Sequence, residues 1–277
     1  MKSMLKYHVW TAALVASMSL TQGVAQNAGQ STAVNPLSQA ERAANLYGRE
    51  IVGSDNQPLG KVDNVVVDLE SEHILYVVIM TADRAKVAVP PQLIGRTVGN
   101  TLKANVAKPK LAGAPKFTGG PDQLGQASFA YGVYQYFGAN PWWQGNTPAN
   151  QGSFHNVHRL NQLIGMNVQD VNNQPIGKIS NIVVDMASGR MLYVVFAPAS
   201  NMGLGNNLYA MPSDAFTLSS DRTHLVTNID KQKLAAAPHF DNSHWPNLTD
   251  NTFASQVYQY YGKQAWFNSG NYQPTGR

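Results

Sequence analysis

The stretch HFDNSH places His239, Asp241 and His244 within six residues. Two imidazoles and a carboxylate are zinc ligands, and a catalytic zinc needs three protein ligands beside an open position. His155 and His158, three apart, could join such a set from another part of the chain. Close histidines in a polar loop are more often solvated than ligating, so no metal is expected. His239, Asp241 and His244 remain the weak candidates for one, as the centre of a metal-dependent hydrolase.

Other chemistry is thinly represented. Ser, His and Asp are all present, but no GxSxG elbow, GxxxxGK[ST] phosphate loop or HExxH motif occurs. The fragment GLG at 203–205 does not open a helix and reads as loop. There is no cysteine, which excludes disulfides, thiolate metal sites, cysteine nucleophiles and a lipoprotein anchor. Asp68 and Asp185 each end a Val-rich run. They could bind a cation or a partner, but an Asp that closes a strand usually accepts N–H groups of the following turn. No catalytic residue and no cofactor is expected.

Aromatic residues form the best candidate working surface. Tyr134, Tyr136, Trp142 and Trp143 recur as Tyr258, Tyr260, Trp266 and Phe267. Exposed, such rings stack on sugars or anchor protein partners; buried, they would cover the open end of a barrel. The first set has two indoles where the second has one. An indole N–H gains most where an outside acceptor reaches it, so Trp142, Trp143, Trp266 and Phe267 are the candidate binding residues.

These residues are positioned by a duplication. NQPLGKV at 56–62 returns as NQPIGKI at 173–179, 117 residues later. Leu46–Ile79 aligns without gaps on Leu163–Phe196, with about half the positions identical. Past an insertion, SNMGLGNN, Thr101–Phe117 matches His224–Phe240, and VYQYFG at 133–138 matches VYQYYG at 257–262. The expected layout is a signal peptide at 1–25, an N-terminal segment at 26–44 and repeats at 45–143 and 161–267. A linker at 144–160 and a tail at 268–277 complete it.

NVVVD and ILYVVIM are β-branched and aromatic runs bounded by turn residues, and they predict strands joined by a hairpin. Asn56-Gln57-Pro58 and Asn173-Gln174-Pro175 predict a turn, with Asn in left-handed backbone and Pro outside the ladder. Gly60 and Gly177 follow at the place where a bend would curl a small sheet into a barrel. Phe129, Val133 and Phe137, and Phe253, Val257 and Tyr261, recur at steps of four before a Gly, which predicts a helix packed on its own barrel.

Composition limits the function further. Hydrophobic residues are 43% and charged residues 13%, so two cores can be built. The formal charge of +4 includes Lys2 and Lys6 at the very start, which leaves too little clustered charge for nucleic acid. Those lysines, the apolar run Val9–Leu20 and the small residues Gly23 and Ala25 predict a secretory signal cleaved after Ala25. The run is short for a membrane span, and no transmembrane anchor is expected after cleavage.

The pattern LxGxxV, a polar turn, xxGKVxNVVVD, a short loop and xLYVVI resembles the PRC-barrel domain. That family includes the cytoplasmic domain of the photosynthetic reaction centre H subunit and the C-terminal domain of the ribosome-maturation factor. The resemblance covers Leu46–Val89 and Leu163–Met211 and rests on Gly48, Pro58, Gly60 and Asp68 and on Gly165, Pro175, Gly177 and Asp185. One departure is Gln-Pro after the Asn, where the family turn commonly has Gly. The resemblance implies a mainly β fold, two small barrels in tandem, each followed by a short aromatic-rich helix. It also implies an interaction module rather than an activity. The expected function is non-catalytic binding or scaffolding through protein contacts in the periplasm or cell envelope. The metal-dependent envelope hydrolase and a module for envelope polysaccharide are the alternatives.

Overall fold

The computed structural model describes residues 37–96, 99–117, 121–143, 154 and 156–268. The expected signal peptide, His155, most of the linker and nearly all of the tail lie outside them. The first repeat runs β1 (Ala40–Arg42), β2 (Glu50–Val52), β3 (Pro58–Asp68), β4 (His73–Met80), β5 (Lys86–Val89), β6 (Ile94–Arg96) and β7 (Leu102–Ala104). Helices α1 (Lys108–Ala112), α2 (Pro121–Leu124) and α3 (Ala127–Phe137) follow. The second repeat runs β8 (Val157–Arg159), α4 (Leu160–Leu163), β9 (Asn167–Asp170), β10 (Pro175–Asp185), β11 (Arg190–Pro198) and β12 (Asn207–Met211). It ends with β13 (Thr217–Leu218), β14 (Leu225–Thr227), α5 (Lys231–Ala235), β15 (His239–Asp241) and α6 (Asn251–Tyr260).

Each repeated phrase makes one corner of a curled sheet. Asn56 and Asn173 sit in left-handed backbone at φ 58° and 59°. Gly53 N–H donates to Gln57 O at 2.8 Å, and Asp170 N–H to Gln174 O at 2.9 Å, which closes the turn. Pro58 and Pro175 then begin strands, the position where a missing N–H costs least. Two residues on, Gly60 and Gly177 take φ +143° and +159°. A Cβ there would lie 2.2 Å from Met80 O, or 2.3 Å from Ala197 O. No side chain fits, so the long strand can cross its neighbour this closely only at glycine. Register shifts follow at Val62/Asn64 and Ile179/Asn181, and again at Val66/Val67 and Val183/Val184. These bulges add twist and curl the antiparallel β3–β4 and β10–β11 pairs around a core.

The last five residues of β3 and of β10 are buried on both faces. Val65, Val67, Val77 and Ile79 point into the barrel. Val66, Leu75, Tyr76 and Val78 point outward, under α3. The helix buries Ala130, Val133 and Tyr134, and Tyr134 Oη donates to Leu75 O at 3.0 Å. The second copy repeats this with Ala254, Val257 and Tyr258, whose Oη donates to Leu192 O at 3.0 Å. Both helices end near a left-handed glycine, Gly138 at φ 68° and Gly262 at φ 69°. The seated stripe is thus centred on Val and Tyr, while Phe129, Phe137, Phe253 and Tyr261 lie at its half-buried margins.

The barrels are interlocked. β1, which leads into the first barrel, pairs with β10 of the second: Ala40 faces Asp185 and Arg42 faces Val183. β8, which leads into the second, pairs with β3 of the first: Val157 faces Asp68 and Arg159 faces Val66. The two exchanges are equivalent under the 117-residue offset. Leu37 packs on the second barrel and Phe154 on the first. The hairpin loops also meet reciprocally: Ile74 N–H donates to Gly189 O at 2.7 Å and Met191 N–H to Glu72 O at 2.8 Å. One apolar cluster runs through both barrels, from Leu46 and Val65 to Leu163 and Val184. The described residues fall in one compact unit. The linker expected at 144–160 therefore stops short: Val157–Arg159 is strand and Leu160 begins a helix.

Two outcomes follow from this architecture. Because strand pairing and core are shared, the chain should melt in a single transition with equal calorimetric and van't Hoff enthalpies. Two separated transitions in a scanning calorimeter would contradict the exchange. Replacing Gly60 or Gly177 by Val should cost at least about 2 kcal/mol, since strain and a backbone clash add. Lys61→Ala should cost well under ~1 kcal/mol, because Lys61 is exposed and its nearest carboxylate, Glu50, lies 3.8 Å away. Urea midpoints on the four proteins (wild type and three variants) measure this.

Candidate functional site

Asp68 and Asp185 stand at the start of the hairpin loops. Asp68 Oδ2 accepts from Ser71 N–H at 3.2 Å and from Ser71 Oγ at 2.6 Å. Asp185 Oδ2 accepts from Ser188 N–H at 2.7 Å, and its Oδ1 takes Gln39 N–H of the exchanged segment at 3.1 Å. Asp185 thus meets protein donors with both oxygens, and Asp68 with Oδ2 alone, its Oδ1 being buried without a hydrogen-bond partner among the described residues. Gly48 and Gly165 stand at the entry to each barrel and donate to Val62 O and Ile179 O at 2.9 and 2.8 Å. Sequence reasoning missed the residues that tie exchange to bulge, Asn64 and Asn181. Each is buried, and its Oδ1 accepts from the next residue's N–H at 3.0 or 2.9 Å. Each also faces the exchanged chain, Asn161 N–H at 3.5 Å and Ala44 N–H at 3.4 Å. An Asn inside the same valine run of both copies was the available signal.

The aromatic ends mostly pack on the terminal helices, outside the barrels. Trp143 is 5% exposed and Phe267 4%. They meet the helix tyrosines edge-on, Trp143 on Tyr134 at 4.8 Å and Phe267 on Tyr258 at 5.5 Å. Of the four candidate binding residues, Trp143 and Phe267 are therefore buried, each as a lid on its helix. Trp142 and Trp266 are half-buried. Trp142 stacks on His73 at 4.1 Å, and Trp266 lies under the guanidinium of Arg190, the counterpart of His73, at 5.1 Å. The indole N–H of Trp142 is buried with no acceptor among the described residues, so it does not point to an outside partner. Tyr136 and Tyr260 donate to Lys110 O and Lys233 O and tie α3 to α1 and α6 to α5.

The histidine set does not assemble. His239 and Asp241 sit on the exposed face of β15, with Phe240 turned inward. His239 Nδ1 donates to Ala237 O at 2.8 Å. His244 Nδ1 lies 3.8 Å from Asp241 Oδ1, whose oxygen already accepts Ser243 N–H at 2.7 Å. Among the described residues no three His, Asp or Glu side chains come together as a metal site. His158 is in β8, on the first barrel, beside Asn156 at 3.1 Å.

A site that the sequence did not reveal lies at the corner of the first barrel. A groove of about 700 Å³ opens beside Gly60. Leu59 and Leu111 lie beneath it, themselves buried, and Met80, 37% exposed, forms an apolar wall. Lys61, Arg84, Lys108 and Lys116 stand around it against Glu50 and Asp83. A hydroxyl hydrogen bond from Thr81 is the main cause holding the Asp83 carboxyl below its ordinary range. The groove thus has an apolar wall and a rim with an excess of positive charge. That is a geometry suited to binding.

The His73–Trp142 stack has a pH signature. Burial first, then the charge of Arg190, pushes the His73 imidazole down to about 4. Burial, then the charge of Arg222, does the same to His158, also down to about 4. Both titrate near 6.5 when unfolded. Between those values the unfolded chain binds more protons, so stability must fall as pH drops from 6.5 toward 4 and be unaffected by these groups above 6.5. A loss of roughly 1–2 kcal/mol is expected between pH 6.5 and 4.5, allowing for partial exposure. Urea unfolding across that range should show a shallower slope for His73→Phe with His158→Gln. An unchanged slope would place the titration elsewhere.

Known proteins bear on the whole arrangement. No curated protein matches the chain. The sequence model of the family described as PRC-barrel domain matches twice, at residues 39–109 and 155–233. Both matches begin just before the exchanged strands β1 and β8, earlier than the limits 45 and 161 expected from the repeat alone. Together they cover more than half of the chain, which therefore belongs to the PRC-barrel domain family as two copies in tandem.

Proposed function

We propose that this chain is an exported, non-catalytic binding or scaffolding protein that acts through protein contacts in the periplasm or cell envelope. PRC-barrel domains suggest a binding or scaffolding module, and the groove beside Gly60 is the observation that carries the reading. It offers apolar surface at a rigid corner, with charge at the rim to orient a partner. The hydrolase reading lacks its centre, since His239, Asp241 and His244 do not converge on one point. The polysaccharide reading relied on exposed rings, and Trp143 and Phe267 are buried. Export rests on the basic and apolar start of the sequence. Among the described residues no helix is long and apolar enough to cross a membrane.

A photo-crosslinking amino acid placed at Met80 tests the reading in intact cells. A discrete protein adduct is expected from that position and not from Tyr131, which is 53% exposed on the outer face of α3. Adducts to glycan alone, or equal adducts from both positions, would defeat it. Mass spectrometry of the purified protein should give Gln26 as the first residue. A mature protein that retains Lys2 and Lys6 would remove export from the proposal.

A further inference from the structure

The second barrel has the same corner, but it fills it with its own chain. In the first barrel, the connection from β4 to β5 is a tight turn closed by Thr81 N–H to Ala85 O at 2.9 Å. In the second, the path between the paired residues Phe196 and Tyr209 is five residues longer than that between Ile79 and Val87, and it contains a short 3-10 turn, Ser200–Met202. It turns back over the matching face. Ala199 N–H donates to Ile176 O at 2.8 Å, and Ile176 is the counterpart of Leu59. A methyl group on Gly203 would lie 3.6 Å from Lys231 Nζ, and Lys231 is the counterpart of Lys108. Met202, on this turn, is 9% exposed and belongs to the apolar cluster that runs through both barrels, and Leu204 packs against that cluster.

One sequence thus carries the same corner twice, once crossed by a short turn that holds a buried Met and once left as an uncrossed groove. We infer that the first groove is a docking site for a short peptide turn of a partner protein, which presents Met or Leu as the second barrel presents Met202. The inference rests on the reading of that groove as a protein-binding site. The repeats share their floor, and a surface shaped to accept an unbranched thioether in one copy has the same backbone and the same leucine-type lining in the other. Charge narrows the occupant. Lys61, Arg84, Lys108 and Lys116 outnumber Glu50 and Asp83 around the open groove, which favours acidic residues flanking the apolar one. The loop in the second barrel therefore acts as a built-in ligand, and the chain offers one such site rather than two.

The test uses the full mature chain and a synthetic peptide that copies residues 198–207 with one glutamate added at each end. Titration calorimetry should show one site per chain. The peptide carrying Met202→Asp should bind at least about tenfold more weakly, because the buried side chain supplies most of the apolar contact. Met80→Asp in the protein should abolish binding while leaving the melting temperature within a few degrees, since Met80 is partly exposed. Replacing residues 198–206 of the protein by Thr-Ala-Asp-Arg should open the second groove and raise the stoichiometry from one to two. If that variant does not fold, Met202→Ser with Leu204→Ser serves the same purpose. Absence of binding by the wild type, indifference to Met80→Asp, or a stoichiometry fixed at one in a folded variant would overturn the inference. If the peptide fails while the crosslink from Met80 still captures a protein, the groove remains a protein site and only the loop-like occupant is wrong.

Discussion

The reciprocal pairing of the leading strands is the constraint on which the rest of the structure depends. β3 and β10 are long, and their last residues carry backbone groups on both edges. One edge of each is taken by the hairpin partner, β4 or β11. The other is satisfied by three residues that belong in sequence to the opposite repeat. Without them a flat, valine-rich edge would be open to any other strand. With them, Leu37 and Phe154 cover the outer faces, the hairpin loops come together, and two small cores become one.

Within this pseudo-symmetry the two halves differ at a few matched positions, and those are the informative ones. Glu41 forms a buried ion pair with Arg49 at 2.6 Å, whereas the corresponding position in β8 is His158. His73 stacks on an indole where Arg190 lies over one. A tight turn in one copy is a covering loop in the other. Elements that build the barrel repeat almost atom for atom: the corner glycines, the bulge asparagines and the tyrosine hydroxyls bound to Leu75 and Leu192. Divergence lies beside these elements, in one buried ion pair, one ring stack and one connection.

Much of the barrel was legible in the sequence because its signals are local. A left-handed Asn, a Pro that opens a strand and a Gly at a close crossing act within a few residues, and each appears twice. The hairpins and the terminal helices were legible for the same reason. The exchange was not, since Gln39 and Asp185 are 146 residues apart and three-residue strands have no pattern of their own. The lid position of Trp143 was also hidden: ring type told of a preference for contact, and only packing on Tyr134 told with what. The groove needed the comparison of two connections in space. In the alignment they were merely an insertion, and its direction across Ile176 and Lys231 could not be read there.

The exchange also orders events during synthesis. β1 is among the first parts of the fold to emerge, and its partner β10 emerges well over a hundred residues later. Until then Leu37 and Ala40 have no surface to cover, and until β8 has emerged the first barrel, complete in all its own strands, also shows a bare edge on β3. Such a nascent chain can close only on its own later half or on another copy of itself. Proximity along one polypeptide favours the former. A chain interrupted before Val157 would carry both an unpaired strand, β1, and an unpaired edge, on β3, so truncation there turns an internal clasp into an adhesive end.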